Sequence, residues 1–335
     1  MGHQEPPKRR HEYTATYRQL HDRPPPATVT WGESQADIIS PGRGFIAAFD
    51  LTMQLQVGCP GGCLFCYVPA GRRLTPAGIK GPQGRDWGFR VRNKRNVLRK
   101  FRRHLATGTL ADKTIYWSGV TDPYAAPPAV TRNLWQALLA APLPLRPRRI
   151  VVQSRFRPDR DAAVMAQYNR ETQPGDGGPA VLVSYSIGTD RDDLIRAWER
   201  ATPRFAQRMQ AIEKLRQGEI TVVATLSPLG PWQALTGTLE QFKAWGVAYL
   251  TCLFFKEDTG SANTPHAFTA YLRRYHPHLL QRRWQQEQVR KMRAVYGRRR
   301  VLLGQAGFAS LAAPQRVVAR PQKDYVSSGS SSSIG

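Results

Sequence analysis

Cysteine is scarce in this chain, and so are acidic residues and long hydrophobic runs. Its 335 residues include four cysteines, too few for a disulfide scaffold. The N-terminus is charged where a signal peptide would be apolar, and the best apolar run, at 247–255, is far too short to span a bilayer. The sequence therefore predicts a cytoplasmic protein with no membrane segment.

Acidic side chains are outnumbered by basic ones. The chain has 24 Asp and Glu residues against 49 Lys and Arg, and its formal net charge is +25. An excess of this size makes a polyanionic partner the first hypothesis.

Two blocks hold much of the positive charge. Residues 72–103 contain twelve bases and one acid, and residues 273–300 contain ten bases and one acid. Trp87 and Phe89 lie inside the first block, so bases could stack there while phosphates meet arginines. Nucleic acid is therefore the predicted partner of both blocks. The open alternatives are a solvated rim without a specific partner, and a phosphorylated small molecule, an acidic peptide or an RNA–protein assembly.

Short apolar runs alternate with amphipathic stretches after residue 45. Strands are predicted at 45–51, 114–118, 149–154, 180–186, 220–226 and 247–255. Helices are predicted near 93–106, 130–141, 159–170, 203–217 and 234–245. This alternation predicts a parallel sheet in a barrel or open barrel, with its sites at the carboxyl ends of the strands.

The predicted domain organisation has four parts. The α/β core covers 45–260, after an N-terminal extension over 1–44. A basic helical extension follows over 261–312, and 313–335 is a polar, serine-rich tail that we expect to be flexible.

Three of the four cysteines fall within eight residues, just past the first predicted strand. They are Cys59, Cys63 and Cys66, and neighbouring glycines let the backbone fold so that the sulfurs converge. A structural zinc site prefers four protein ligands, often as two CxxC pairs, and no second pair occurs. Three thiolates suit an iron–sulfur cluster with one iron left for a non-protein ligand. Zinc, with Cys252 or a histidine as fourth ligand, and unliganded thiols are the alternatives.

The stretch CPGGCLFC, with Phe65 just before the last cysteine, resembles the radical S-adenosylmethionine (SAM) superfamily. The resemblance implies a [4Fe-4S] cluster bound by the three cysteines, whose open iron chelates SAM and reduces it to a 5′-deoxyadenosyl radical. Four further stretches are similar to the spore photoproduct lyase-like branch, often labelled DNA repair photolyases. They are GCPGGCLFCY, SGVTDPY, VVQSRFRPDRD and ERATPRFAQRMQAIEKL, which together span roughly 55–260.

This narrower resemblance implies a set of cofactor-binding residues. Thr121 and Asp122 would lie beside the amino group of SAM, where a carboxylate can accept a charge-assisted hydrogen bond. Arg155 is the candidate for the methionine carboxylate, and Ser186 for the ribose. The other implied cofactor residues are Phe65, Tyr67, Ser118, Gly119, Ser154 and, as a lesser candidate, Arg208. The alternatives are a loop or N-cap carboxylate for Asp122, a turn hydroxyl for Ser186 and a solvated surface charge for Arg208.

The sequence also departs from the branch. Spore photoproduct lyases carry a cysteine after the second strand that returns a hydrogen atom to the substrate radical, whereas this chain has Ser118, Gly119 and Val120 there. Photoproduct repair is therefore in doubt, and another radical modification is the alternative. Cys252 is predicted to be a buried small hydrophobe, with hydrogen donation as its alternative role. The histidines His266, His276 and His278 are predicted to lie at the surface.

Taken together, the pattern and the resemblance predict a partial (β/α)6 barrel of the radical SAM type with N- and C-terminal extensions. The preferred function is a radical SAM enzyme that modifies or repairs a nucleic acid by hydrogen abstraction and receives electrons from an external donor such as flavodoxin or ferredoxin. The alternatives are a radical SAM enzyme acting on a peptide or small metabolite, and a zinc-stabilised nucleic-acid-binding module.

Overall fold

A computed structural model describes residues 30–69, 77–80, 86–199, 201–256 and 264–313. Some of the predictions fall outside these residues. They are the N-terminal extension up to residue 29, the tail from residue 314, and Arg72, Arg73 and Arg85 of the first basic block.

The described elements alternate between strands and helices. The strands are β1 (Thr30–Ser34), β2 (Ile39–Pro41), β3 (Leu51–Met53), β4 (Gln56–Val57), β5 (Arg90–Lys94), β6 (Thr114–Trp117), β7 (Arg149–Ser154), β8 (Val181–Ser186), β9 (Thr221–Leu226), β10 (Tyr249–Cys252) and β11 (Val301–Leu303). The α-helices are α1 (Ala77–Lys80), α2 (Val97–Ala106), α3 (Pro128–Ala140), α4 (Ala162–Glu171), α5 (Asp192–Trp198), α6 (Phe205–Gln217), α7 (Leu235–Ala244), α8 (His266–Tyr275), α9 (Arg282–Tyr296) and α10 (Gly304–Ala309). Short 3-10 helices are Gly44–Ile46, Pro123–Ala125, Leu143–Leu145, Pro158–Asp161, Pro277–Leu280, Arg298–Arg300 and Ser310–Ala312.

The main sheet has eight strands in the order β11-β10-β9-β8-β7-β6-β3-β2. Every neighbouring pair is parallel except β2 and β3, which are antiparallel. Helices connect β3 and β6 through β10, which gives six parallel strands with crossovers and confirms the predicted fold class. In the described part the sheet is open, with β2 and β11 at its edges.

Both faces of the sheet are covered, which explains the nearly continuous apolar strands. On one face the strand residues pack against the helices in a core that includes Ile115, Val183 and Leu250. On the other face a smaller apolar cluster closes the sheet near the amino ends of the strands. Its members are Phe49, Tyr116, Val151, Leu182, Val223, Leu302, Leu311 and Ala312.

The prediction of a strand at 45–51 is wrong. The chain forms the 3-10 helix Gly44–Ile46 there, and the first parallel strand begins only at Leu51. The segment between Gly42 and Asp50 folds back on itself, and a hydrogen bond from Gly42 N–H to the Asp50 carbonyl joins its two ends. Its aromatic rings pack against other parts of the chain. The ring centroids of Phe45 and Phe308 are 5.1 Å apart, and those of Phe49 and Tyr116 are 4.8 Å apart. The run is therefore apolar because it covers the sheet.

Two more features frame the sheet. A small three-stranded sheet, β1-β5-β4, pairs β1 with β5 in parallel and β4 with β5 in antiparallel. Past the predicted boundary at residue 260, α8 and α9 lead to β11, which pairs in parallel with β10. In the described part of the chain no helix has the length and apolar character that crossing a bilayer requires.

Candidate cofactor site

The loop that carries the three cysteines follows β4. Gly58 opens it at a φ of +88°, where a Cβ atom would lie 2.5 Å from the Arg90 carbonyl oxygen. Gly88, also at +88°, presses on the same loop, because a Cβ there would lie 2.5 Å from Gly62 Cα. Only glycine tolerates both the positive φ and the close approach. These glycines let the loop fold tightly against β5.

The loop lies at the carboxyl edge of the main sheet, as the prediction required. Leu64 N–H donates to the Trp198 carbonyl at 2.8 Å. The Tyr67 hydroxyl donates to the carbonyl of Gly119, which follows β6, at 2.6 Å. The ring of Phe156, which follows β7, lies 3.6 Å from where a Gly61 Cβ would be. Contacts with the segments after β6 and β7 and with the end of α5 place the cysteines at the mouth of the open barrel.

The thiols converge, and backbone and indole N–H groups point at them. A Cβ on Gly61 would lie 3.4 Å from Cys59 Sγ and 3.8 Å from Cys63 Sγ. The N–H groups of Asp122 and Gly61 donate to Cys59, and those of Val68 and the Trp87 indole donate to Cys66. Burial raises the pKa of Cys59 to about 11 and of Cys66 to about 12, and it also raises the pKa of Cys63. Thiolates in this loop would therefore need a positive partner.

The arrangement distinguishes between the two predicted kinds of metal site. Ligands of one zinc, each about 2.3 Å from the ion, lie within about 4 Å of one another. Over the described ranges, no three His, Cys, Asp or Glu side chains are close enough to hold a single ion. Cys252, the suggested fourth ligand, is 1% exposed in the core between sheet and helices. Three thiols with N–H donors, and with no fourth ligand among the described residues, fit a cluster with one open iron better than a tetrahedral zinc.

Asp122 lies directly beside the cysteine loop. Its carboxylate accepts hydrogen bonds from Ser154 Oγ at 2.8 Å, from Arg155 N–H at 2.6 Å and from Tyr124 N–H at 2.9 Å. Burial raises the pKa of Asp122, although these donors and the Arg155 guanidinium oppose the rise. The carboxylate caps the 3-10 helix Pro123–Ala125, as the alternative interpretation had it, and it also ties together the segments after β6 and β7.

A buried chain of three charges runs from the cysteine loop to α6. Arg155 stacks over the Phe65 ring at 5.0 Å and donates to Glu199 Oε1 at 2.6 Å and to the Ser227 carbonyl at 2.9 Å. Arg208, fully buried, donates to the other oxygen of Glu199 and to Thr202 and Pro203. Burial would raise the pKa of Glu199, but the two guanidinium charges lower it below its usual value. The alternative interpretation of Arg208 as a surface charge is wrong.

One nitrogen in this chain of charges is unsatisfied. Arg208 Nη1 is buried and has no hydrogen-bond partner among the described residues. A buried donor without a partner is costly, and such groups often mark a ligand or water position. Glu199 and the two arginines together carry a charge of +1, and the buried Asp122 carboxylate beside Arg155 adds one negative charge. An anionic ligand group would suit the open donor of Arg208.

The sheet face that carries the smaller apolar cluster, opposite the helices, becomes polar toward the carboxyl ends of the strands. Ser184, Thr225 and Thr251 form a row of hydroxyls, hydrogen-bonded at 2.6 and 2.8 Å, one step past the apolar cluster on the same face. Ser186 accepts from Gln153 Nε2 at 3.3 Å on this face. Near the loop, Ser118 Oγ donates to the carbonyl of the buried Thr121 at 3.0 Å. The predicted cofactor residues are thus gathered at one edge, and their individual roles stay predictions.

Several sequence predictions about side chains around the site are wrong. Trp87 and Phe89 are 2% and 3% exposed and cannot stack with bases in this structure. Trp87 covers the cysteine loop, packing with Val68 and Ile79. His276 is also buried, in contact with the Trp198 ring at 5.4 Å, and burial lowers its pKa to about 4. Aromatic and imidazole rings that flank basic residues in sequence have turned inward, because their apolar area is large. His266 is exposed and Cys252 is buried, as predicted.

The first basic block is partly neutralised by acids from outside it. Arg95 pairs with Glu33, and Arg103 Nη2 lies 3.2 Å from Asp37. Arg92, Arg99 and Arg102 are exposed and form no ion pair within the described part of the chain. In the second block, Lys291 pairs with Glu287 at 2.9 Å on the exposed side of α9. The unpaired charge is thus smaller than the sequence suggests.

Sequence reasoning did not single out Glu199 or Trp198. Both lie at the end of α5, where the Trp198 carbonyl holds Leu64 and the Glu199 carboxylate holds Arg155. The available signal was an acidic residue at the start of the quoted stretch ERATPRF, in which the other charges are arginines.

Comparisons with known proteins return distant structural similarities only. No family model matches the sequence, and no curated protein does. A spore photoproduct lyase mutant is 12% identical, with 90% of this chain and 87% of that chain covered and a TM-score of 0.49. A mutant of that lyase with bound AdoMet and dinucleoside spore photoproduct is 15% identical, with 82% and 72% covered and a TM-score of 0.44. HydG, a maturase of the [FeFe]-hydrogenase, is 11% identical, with 88% and 56% covered and a TM-score of 0.42.

Proposed function

We propose that this protein is a radical SAM enzyme in which Cys59, Cys63 and Cys66 bind a [4Fe-4S] cluster. The supporting observation is the loop itself: three thiols at the carboxyl edge of an open parallel sheet, with N–H donors aimed at two of them and no fourth ligand in the described chain. With SAM bound, the cluster would supply reductive cleavage of the sulfonium to a 5′-deoxyadenosyl radical.

The chain's own residues bind and orient the cofactor in this proposal. Asp122 would accept a hydrogen bond from the amino group of SAM, in addition to the three it accepts from the chain. Both terminal nitrogens of Arg155 already donate within the protein, whereas Arg208 Nη1 does not. We therefore assign the methionine carboxylate to Arg208 rather than to Arg155, which the resemblance implied. The hydroxyl row and Ser186 would face the adenosine.

Metal content and SAM cleavage test the proposal directly. The anaerobically reconstituted full chain should be brown and hold about four irons and four sulfides. It should cleave SAM when reduced with dithionite. Changing Cys59, Cys63 or Cys66 to Ala should abolish cleavage, whereas Cys252→Ala is the matched control and should keep both iron and activity because that thiol lies in the core. A colourless protein with one tightly bound zinc would overturn the proposal.

We further propose that the substrate is a nucleic acid bound through its phosphates. The net charge of +25 supports this substrate class, and so do the exposed Arg92, Arg99 and Arg102, which form no ion pair with another described residue. With Trp87 and Phe89 buried, the first block offers phosphate contacts and no stacking platform. Because no thiol occupies 118–120, photoproduct repair through a cysteine donor at that place is not part of the proposal. Electrons would come from an external donor such as flavodoxin or ferredoxin.

Salt dependence separates this substrate class from a peptide or small metabolite. Each neutralised phosphate contributes about 0.7 to 0.9 to the log-log slope of affinity against salt. Changing Arg92, Arg99 and Arg102 together to Gln should lower the slope for an oligonucleotide by about two, without changing uncoupled SAM cleavage. The control triple, Arg170, Arg196 and Arg204 to Gln, removes three arginines that are also exposed and lie outside both blocks. Weak binding at low salt, or equal slopes for both triples, would favour the peptide or metabolite alternative.

A further inference from the structure

Glu199 is a buried carboxylate held between two guanidiniums at the mouth of the barrel. Its side chain is 3% exposed, and each oxygen accepts from a different arginine: Oε1 from Arg155 and Oε2 from Arg208. Thr202 Oγ1 also donates to Oε2, at 2.8 Å. A carboxylate with this many charged donors is fixed in one orientation.

The same short segment also holds the cysteine loop. Trp198, one residue earlier, accepts from Leu64 N–H at 2.8 Å, and Arg155 lies over the ring of Phe65 at 5.0 Å. Leu64 and Phe65 are the two residues between Cys63 and Cys66. The Trp198 carbonyl therefore holds Leu64 directly, and the Glu199 side chain holds Arg155 over Phe65.

We infer that Glu199 is a positioning residue that holds Arg155 against the cysteine loop and limits the buried positive charge beside the bound cluster, thereby setting the reduction potential of that cluster. The inference rests on the proposed function. Glu199 holds Arg155 and Arg208 by hydrogen bonds, and its charge also acts directly on Cys63. Among the described residues no other acid forms a salt bridge with either guanidinium, although the buried Asp122 carboxylate also interacts with the charge of Arg155.

The sign of the effect follows from the charges. Reduction adds an electron to the cluster, so nearby positive charge stabilises the reduced form and nearby negative charge destabilises it. With Glu199 and both arginines ionised, these three residues contribute +1, and the Asp122 carboxylate beside Arg155 contributes a negative charge. Glu199→Gln would remove one negative charge from beside the two guanidiniums and shift the potential to more positive values. Arg155→Gln would leave a neutral Glu199–Arg208 pair and shift it to more negative values.

The experiment is a redox titration of the reconstituted full chain, followed by the EPR signal of the reduced cluster. We expect opposite shifts for Glu199→Gln and Arg155→Gln, and a potential close to that of the unaltered protein for Glu199→Asp. The control is Glu171→Gln, which frees the buried Arg146 from an ion pair with a more exposed carboxylate away from the mouth and should leave the potential unchanged. Iron content and a thermal melt of the metal-free protein accompany each titration.

The outcomes separate the inference from the proposed function. An unaltered protein that binds no cluster overturns the function. A normal cluster whose potential shifts in the same direction in both variants, or in neither, overturns the inference and leaves the function standing. Should Glu199→Gln fail to fold, Arg155→Gln and Arg208→Gln decide, since each removes one positive charge. Two shifts to more negative values would support the inference, and no shift would overturn it.

Discussion

Two fully buried arginines lie at opposite edges of the main sheet, and their hydrogen bonds differ in one respect. Arg149 begins β7 at the amino edge, where Asp176, Pro179 and Ala312 accept from all three of its nitrogens. Arg208 at the mouth donates from Nε and Nη2, while its Nη1 has no partner in the described part of the chain. A buried guanidinium with every nitrogen paired has a structural role, whereas one with an open donor can bind a ligand.

The residues around Arg149 and Arg208 differ in the same way as the hydrogen bonds of the two arginines. At the amino edge, Phe49, Leu302 and Leu311 seal the sheet, and Arg149 fastens the 3-10 helix Ser310–Ala312 to it through the Ala312 carbonyl at 3.1 Å. At the mouth the same face of the sheet carries hydroxyls instead. One edge is thus closed by packing, and the other retains polar groups at which a cofactor can bind.

Replacing Arg149 or Arg208 by Met should produce the largest difference between the two edges, in the free energy of unfolding and in SAM affinity. Arg149→Met should lower the free energy of unfolding by about 2 to 4 kcal/mol, because several buried hydrogen bonds lose their donor and the C-terminal segment loses its anchor. SAM affinity of the folded protein should be unchanged. Arg208→Met should also destabilise the protein, since Glu199 loses one of its two cations, and in addition it should weaken SAM binding.

Urea unfolding of the metal-free chain and equilibrium dialysis of SAM against the reconstituted chain measure the two effects. Measurements are made well below the melting temperature of each variant, so that the folded form is compared. Equal SAM affinities in the two variants would mean that the open donor of Arg208 does not bind the cofactor.

Much of the fold could be predicted from the sequence, because the period of apolar residues reports burial directly. The predicted helix at 203–217 is observed at Phe205–Gln217, and the predicted strand at 149–154 is observed with those bounds. Periodicity failed at 45–51, where the apolar residues cover the sheet as a folded-back segment. An apolar run predicts burial, and its backbone conformation depends on what it packs against.

The site was predictable only in part. Closely spaced cysteines and the TDPY stretch identify a loop and a carboxylate that do meet in space. Glu199 pairs with Arg155, 44 positions away in the sequence, and with Arg208, 9 positions away. No local sequence pattern reports such contacts. The burial of Trp87, in a segment full of arginines, was likewise decided by the tertiary position of the cysteine loop.

Asp122→Asn should have a smaller effect, confined to the mouth. Asparagine keeps the shape, but its amide nitrogen cannot accept the N–H of Arg155 or the amino group of SAM. A buried charged hydrogen bond is worth roughly 1.5 to 3 kcal/mol, so SAM affinity should fall about ten-fold or more while the iron content stays unchanged. Asp176→Asn, at the opposite edge, is the control and should leave the affinity as it is. Unchanged affinity in Asp122→Asn would remove this carboxylate from the cofactor site.

The smallest expected effect is a pH dependence at the closed edge. Hydrogen bonds from Arg149 lower the pKa of Asp176 to about 2, from an ordinary value of 3.8. A carboxylate whose pKa is depressed by folding stabilises the protein above its unfolded pKa, and this contribution is lost as the pH falls from about 4 toward 2. The free energy of unfolding should therefore decline less steeply over this window in Asp176→Asn than in the unaltered chain. Because the Asp176 side chain is 37% exposed, solvent screening keeps the difference small. Asp112→Asn, which alters a more exposed carboxylate 3.6 Å from Arg148, is the control. Parallel acid profiles for the unaltered chain and Asp176→Asn would show that Arg149 secures the closed edge through the carbonyl oxygens of Pro179 and Ala312 rather than through its ion pair.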